Sequence, residues 1–164
     1  MAESPHYNEL LLALNESGVE YLIVGGYAVM KYTEPRYTKD LDVWVGDSPS
    51  NSARLYQALA NFGAPLNHDG VTPETFAEEE IVYQIGVSPL RIDISNHIDG
   101  VTFGAAWQNR VQGSIFGVPV HFISLSDLIV NKQSSGRKSD LEVLRKPNCP
   151  LHPNFAPDQI DGSI

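Results

Sequence analysis

The strongest pattern in the chain lies in Tyr21-Leu22-Ile23-Val24-Gly25-Gly26-Tyr27-Ala28 and, a little downstream, Asp40-Leu41-Asp42-Val43-Trp44-Val45. Tyr21 to Val24 is a short apolar run, as in a buried strand. Two glycines then permit a sharp turn and leave backbone amides uncovered by any Cβ. Residues 27–32 follow as a short helix. A strand, a glycine turn and a helix N-terminus make an anion cradle, because free N–H groups and the helix dipole both favour negative charge there. Asp40-Leu41-Asp42 opens the next strand, residues 40–45. Alternate strand residues share a face, so the two carboxylates project together while Leu41 and Val43 point inward. Paired carboxylates beside a phosphate cradle suit Mg²⁺ (or Mn²⁺) held between protein and a triphosphate.

The flanking sequence supplies a fold around these two segments. Tyr7, Leu10, Leu11 and Leu14 recur at helical spacing, which predicts an amphipathic helix over 6–17. Residues 33–39 contain Pro35 and read as a loop carrying Arg36 and Thr38. Arg36 is either an ion-pair partner of Asp40 or Asp42, or a group that orders the site or meets a phosphate. Ser48-Pro49 has the chemistry of an N-cap and first helical position, so a helix is expected over 51–62. Residues 81–86 and 90–95 read as a hairpin turning at Ser88-Pro89. In its second strand Leu90, Ile92 and Ile94 share one face and Arg91, Asp93 and Ser95 the other. Alternation alone makes Asp93 an exposed polar residue; one hairpin after Asp-x-Asp, it is also placed to join Asp40 and Asp42. A helix is expected over 103–111 and a strand pair over 113–123, with Pro119 limiting its strand to a sheet edge. Ser124 and Asp127 form a capping-box pattern ahead of a helix reaching about Ser134. Another helix is expected from near Arg137 to just before Pro147.

Together these motifs resemble the polymerase β-like nucleotidyltransferase superfamily. Its pattern is strand, Gly-Gly or Gly-Ser, helix, then Asp-x-Asp on the next strand and a third carboxylate on a later one. The version here, Arg36-x-Thr38-x-Asp40-Leu41-Asp42, is most similar to the bacterial Gly-Gly branch related to the toxins of type IV toxin–antitoxin systems; Gly26 stands where many relatives have serine. The resemblance runs from about Glu20 to Arg145. It implies an α/β fold, a small mixed sheet with helices packed against it. It also implies transfer of a nucleoside monophosphate from a nucleoside triphosphate to a hydroxyl or phosphate acceptor. Asp40, Asp42 and Asp93 would then be the catalytic and metal-holding carboxylates, with Asp93 as general base. Gly25, Gly26, Arg36 and Thr38 would meet the nucleotide. Lys132 and Arg137, with Asp140, loosely match a late Lys…Arg-x-x-Asp helix near the nucleotide, and a plain surface cluster fits them equally. No large acceptor-binding domain follows, so a protein or tRNA acceptor would come from another chain. The alternative implied by the same fold is a binding module with weak turnover, an antitoxin-like or regulatory subunit.

Composition sets the outer limits. The chain has 164 residues and 42% hydrophobic content, which suits one domain, residues 1–146, with a Pro-rich tail over 147–164. No apolar run has the length of a membrane span, and the N-terminus lacks the pattern of a signal peptide. The single cysteine, Cys149, cannot form an internal disulfide; a cytoplasmic location is the expectation. The net charge of −9 argues against an extended nucleic-acid groove, which is normally basic. The five histidines are too scattered to suggest zinc.

Overall fold

Helix α1 (Pro5–Glu16) turns Tyr7, Leu10, Leu11 and Leu14 inward, all four fully buried. The computed structural model describes residues 5–33, 40–87 and 90–136. The helical stripe read from spacing is therefore the face on which the sheet rests. Strand β1 (Tyr21–Val24) is buried at every position, as its unbroken apolar run requires. Helix α2 (Gly25–Tyr32) begins at Gly25 itself. The two glycines thus form the first turn of the helix rather than a loop ahead of it.

Strand β2 (Leu41–Val45) follows, then α3 (Pro49–Phe62), with Pro49 in its first turn and Ser48 accepting from the Asn51 amide. Gly63 ends α3 in the left-handed conformation, its amide bonded to the Leu59 and Ala60 carbonyls, a glycine C-cap. A short helix α4 (Thr75–Glu78) leads to β3 (Val82–Ile85) and β4 (Ile92–Ser95). Helix α5 (Phe103–Gln108), the hairpin β5 (Val111–Ile115) and β6 (Val118–Phe122), and helix α6 (Leu125–Ser135) complete the described chain. Ser124 caps α6 by accepting from the Asp127 amide. The expected helix after residue 137 and the tail lie outside the described residues.

The six strands form one mixed sheet in the order β3-β4-β2-β1-β6-β5. The fold is α/β with helices packed against a mixed sheet, as the resemblance implies. Pro119 lies in β6, which is not the edge strand: β5 is outside it. The proline is tolerated because β6 pairs with β1 only at Phe122, opposite Ile23. Among the described residues, the only strand neighbour at Pro119 is β5, where Ser114 is its partner, and the Pro119 carbonyl accepts from Asn15 Nδ2 at 2.8 Å. A missing N–H is therefore not demanded by β1.

Two registers position the site. β1 and β2 run antiparallel with Val24 opposite Asp42. β2 and β4 run parallel with Asp42 beside Asp93. A buried asparagine fixes this end of the frame. Asn51 Oδ1 accepts from the Glu20 amide at 2.8 Å, and Nδ2 donates to the Glu20 and Gly46 carbonyls at 3.0 and 2.9 Å. One side chain on α3 thereby ties the start of β1 to the end of β2.

Candidate active site

Cross-strand neighbours in a ladder project to the same side of a sheet. The parallel register therefore sets the Asp42 and Asp93 side chains on one face, while Leu41, Val43, Ile92 and Ile94 are buried on the other. Asp40 precedes β2 by one residue and joins them through Arg91. The guanidinium donates from Nε to Asp93 Oδ1 at 2.8 Å and from Nη2 to Asp93 Oδ2 at 3.1 Å. The same Nη2 reaches Asp40 Oδ2 at 3.0 Å. Asp93 and then Asp40 and Asp42 all stabilise the Arg91 cation and raise its pKa. The three carboxylates selected by their sequence pattern are thus grouped about one guanidinium.

Gly25 explains how Asp42 fits. Its φ is +65°, and a Cβ built there would collide with the Asp42 carboxylate, lying 2.8 Å from Cγ and closer still to Oδ2. The glycine is needed both for its left-handed backbone and for the space over it. Val24, the residue before α2, supplies no side-chain cap to the first amides of the helix.

Tyr7 of α1 closes the group from behind, its hydroxyl donating to the Arg91 carbonyl at 3.1 Å. Burial pushes its phenol up to about 12, and Tyr27 and the charges of Asp40, Asp42 and Asp93 add to the shift. Helical spacing assigns Tyr7 to the core stripe, correctly, but gives no sign of this polar contact 84 residues away. Arg91 itself is the main residue to which the sequence pattern assigns no role. Its one signal is its place two residues before Asp93 on the same strand face. The other expected site residues divide. Lys132 lies in α6 and is buried; Arg36, Thr38 and Arg137 lie outside the described residues.

The donor set suits a hard cation, since three carboxylates supply only oxygen. Asp40 Oδ1 is buried and has no hydrogen-bond partner among the described residues, which leaves a lone pair for a metal. Among the described residues, however, no group of three or more His, Cys, Asp or Glu stands close enough to hold an ion. Arg91 engages both Asp93 oxygens and one from Asp40. By donor type the carboxylates suit Mg²⁺, and Arg91 is the cation bonded to two of them.

A mixed α/β sheet with a Gly-Gly helix start and clustered aspartates on adjacent strands has the arrangement of a nucleotidyltransferase-like domain. Residues 7–149 match the family described as nucleotidyltransferase of unknown function, DUF6036. The chain belongs to that family. No curated protein matches it significantly. Among the described residues no helix is long and apolar enough to cross a membrane.

Proposed function

We propose that the chain is a metal-dependent nucleotidyltransferase that transfers a nucleoside monophosphate from a nucleoside triphosphate to a hydroxyl or phosphate acceptor. The observation that carries this reading is the parallel register of Asp42 beside Asp93, with Asp40 linked to them through Arg91. Asp40, Asp42 and Asp93 would hold Mg²⁺, which when bound neutralises phosphate charge and makes an attacking hydroxyl more acidic. The α2 N-terminus at Gly25 and Gly26 would receive phosphate oxygens on its free amides.

In the reaction, an acceptor oxygen bonds to the α-phosphorus while the bond to the bridging oxygen breaks. Pyrophosphate leaves with that bonding pair. Where the acceptor is a hydroxyl, its proton passes to an Asp93 carboxylate oxygen. Each carboxylate oxygen has two lone pairs, so the fork from Arg91 leaves Asp93 able to accept it. Arg91 also fixes the carboxylate's orientation, the positioning on which such sites depend. An acidic chain with net charge −9 fits a small nucleotide better than a long nucleic-acid track. A protein or tRNA acceptor would be met locally.

The test is pyrophosphate release from each nucleoside triphosphate with Mg²⁺ and candidate acceptors, and the same with Asp42→Ala. Release that is equal in wild type and variant rejects the assignment. A second reading, a regulatory or antitoxin-like binding module, is favoured by Arg91: a cation held by Asp93 and Asp40 could be permanent. Nucleotide binding of equal strength with Mg²⁺ and with a chelator would select that reading.

A further inference from the structure

A cavity of about 470 Å³ lies between α2 and the β5–β6 hairpin. Its walls include Tyr27, Met30 and Lys31 from α2, and Ser114, Phe116 and Phe122 from the hairpin. This volume falls within the range of small-molecule sites. The cavity joins the candidate active site through aromatic contacts. Tyr27 meets Tyr7 edge to face at 6.2 Å and Phe116 at 6.2 Å, and Tyr7 carries the hydroxyl that reaches the Arg91 carbonyl.

Three features say what the cavity would take. First, Phe116 has φ +49° in the two-residue turn between Ile115 and Val118. Such turns favour Asn-Gly, and a bulky aromatic there is a backbone outlier. The hairpin keeps a ring at an unfavourable position, the kind of outlier from which a functional role can be inferred. Second, Lys31 is exposed, its Nζ lies 4.8 Å over the Phe122 ring, and no described carboxylate is within ion-pair distance of it. Third, Gly113 lets these two side chains lie against the hairpin: a Cβ there would lie 2.7 Å from the Phe122 ring and 3.2 Å from Lys31 Nζ. Aromatic walls with one donor-only cation fit a planar heterocycle that carries carbonyl or ring-nitrogen acceptors.

We propose that this cavity is the nucleobase subsite, with the base against Tyr27 and Phe116 and one of its acceptor atoms facing Lys31. The inference rests on the nucleotidyltransferase reading above. The two halves of a nucleotide are matched to one helix: Gly25 starts α2, and Lys31 lies six residues on, ~9 Å along its axis. Phosphates at the helix start therefore leave the base within reach of the cavity.

Calorimetry with nucleoside triphosphates and with inorganic tripolyphosphate, both with Mg²⁺, separates base from phosphate. Wild type should bind at least one nucleoside triphosphate more tightly than tripolyphosphate. Lys31→Met and Phe116→Asn should each weaken that nucleotide on the order of ten-fold, the usual scale for a lost aromatic stack. Neither should change tripolyphosphate binding. Phe116→Asn restores favoured turn chemistry and Lys31 is exposed, so both variants should melt cooperatively. Equal affinity of wild type for both ligands would overturn the base subsite alone. A parallel loss of tripolyphosphate in Lys31→Met would make Lys31 a phosphate contact instead, and nucleotide affinity unchanged in both variants would also reject the proposal. Binding of neither ligand to wild type would remove the underlying nucleotidyltransferase reading with it.

Discussion

Arg91 grips Asp93 through both carboxylate oxygens, at 2.8 and 3.1 Å, and does so from the same strand face two residues away. Its Nη2 also spans to Asp40 at 3.0 Å. One cation therefore offsets the repulsion of clustered carboxylates and occupies the oxygens a metal would need. These two effects oppose each other when Mg²⁺ binds. Arg91→Gln should lower the melting temperature of the metal-free protein, yet raise Mg²⁺ affinity roughly ten-fold, a typical coupling between two ligands of one site. Titration calorimetry on both proteins reads the change. Unaltered or weaker Mg²⁺ binding in the variant would show that Arg91 is not a competitor.

Gly25 gives a sharper test of the geometry at Asp42. Gly25→Ala places a Cβ in a left-handed backbone and against the Asp42 carboxylate. The backbone strain and the clash together should cost about 1–3 kcal/mol of stability. Mg²⁺-dependent nucleotide binding should fall further than this, because Asp42 must rotate away. Urea melts and calorimetry separate the two losses. An unchanged melt would mean that the carboxylate moves freely.

Much of this site is legible in the amino-acid sequence, and the gaps have physical causes. Strand alternation carries which face Asp42 and Asp93 take, because a period of two is local. It does not carry register, which depends on how β2 and β4 pack. Nearness in sequence offers Arg36, outside the described residues, as one partner for Asp40 or Asp42; it does not offer Arg91, 51 residues from Asp40. Ion pairing across parallel strands leaves no local trace beyond two polar residues on one face. Pro119 misleads in the same way, since an edge assignment cannot anticipate that β6 touches β1 at only one position. Asn51 reads as an ordinary residue in the first turn of a helix, although its side chain is what ties β1 to β2.

That asparagine should be one of the more sensitive positions outside the site. It is fully buried and makes three hydrogen bonds to backbone groups of Glu20 and Gly46. Asn51→Ala leaves a buried N–H and two carbonyls without these partners, at about 2–4 kcal/mol. Asn51→Asp keeps the acceptor but turns a buried charge toward two carbonyl oxygens, and should be worse. Chemical denaturation of both variants checks the order. A reversed order would mean that the acceptor bond to the Glu20 amide dominates.

His121 should give the fold a pH dependence just below neutrality. Its ring meets Trp107 edge to face at 5.2 Å, with the Arg110 guanidinium 4.2 Å over the same Trp107. Burial, and then the Arg110 charge, lower its pKa from 6.5. The folded state therefore binds a proton less readily than the unfolded chain. By linkage this contribution is neutral above 6.5, falls as pH drops through that value, and levels off below the folded pKa. Asp69, held low by the Tyr83 hydroxyl and His68, adds stability above its ordinary 3.8 that is lost only at lower pH. The two windows are distinct. His121→Gln should flatten the stability profile in the upper window and leave the lower one intact. An unchanged upper slope would assign it to other groups.

The decisive comparison joins metal binding to stability. If Asp42 is a metal-holding carboxylate, Mg²⁺ binds only the folded chain and raises its melting temperature. At a free concentration one hundred times its dissociation constant the gain is about 2.7 kcal/mol. Chelator should remove it. Asp42→Asn keeps the shape of the side chain but removes its charge, so the metal-dependent gain should largely vanish. Without metal the variant should be as stable as wild type or somewhat more so, up to ~2 kcal/mol, the range seen when a functional site is relaxed. A structural aspartate gives the opposite pattern, with the variant less stable and Mg²⁺ silent in both proteins. Arg91→Gln provides the third arm: with its resident cation gone, its Mg²⁺-induced rise should exceed that of wild type. Thermal melts of the three proteins, each with Mg²⁺ and with chelator, decide between these cases. A destabilised Asp42→Asn together with a metal-insensitive wild type would leave the carboxylates a structural cluster around Arg91.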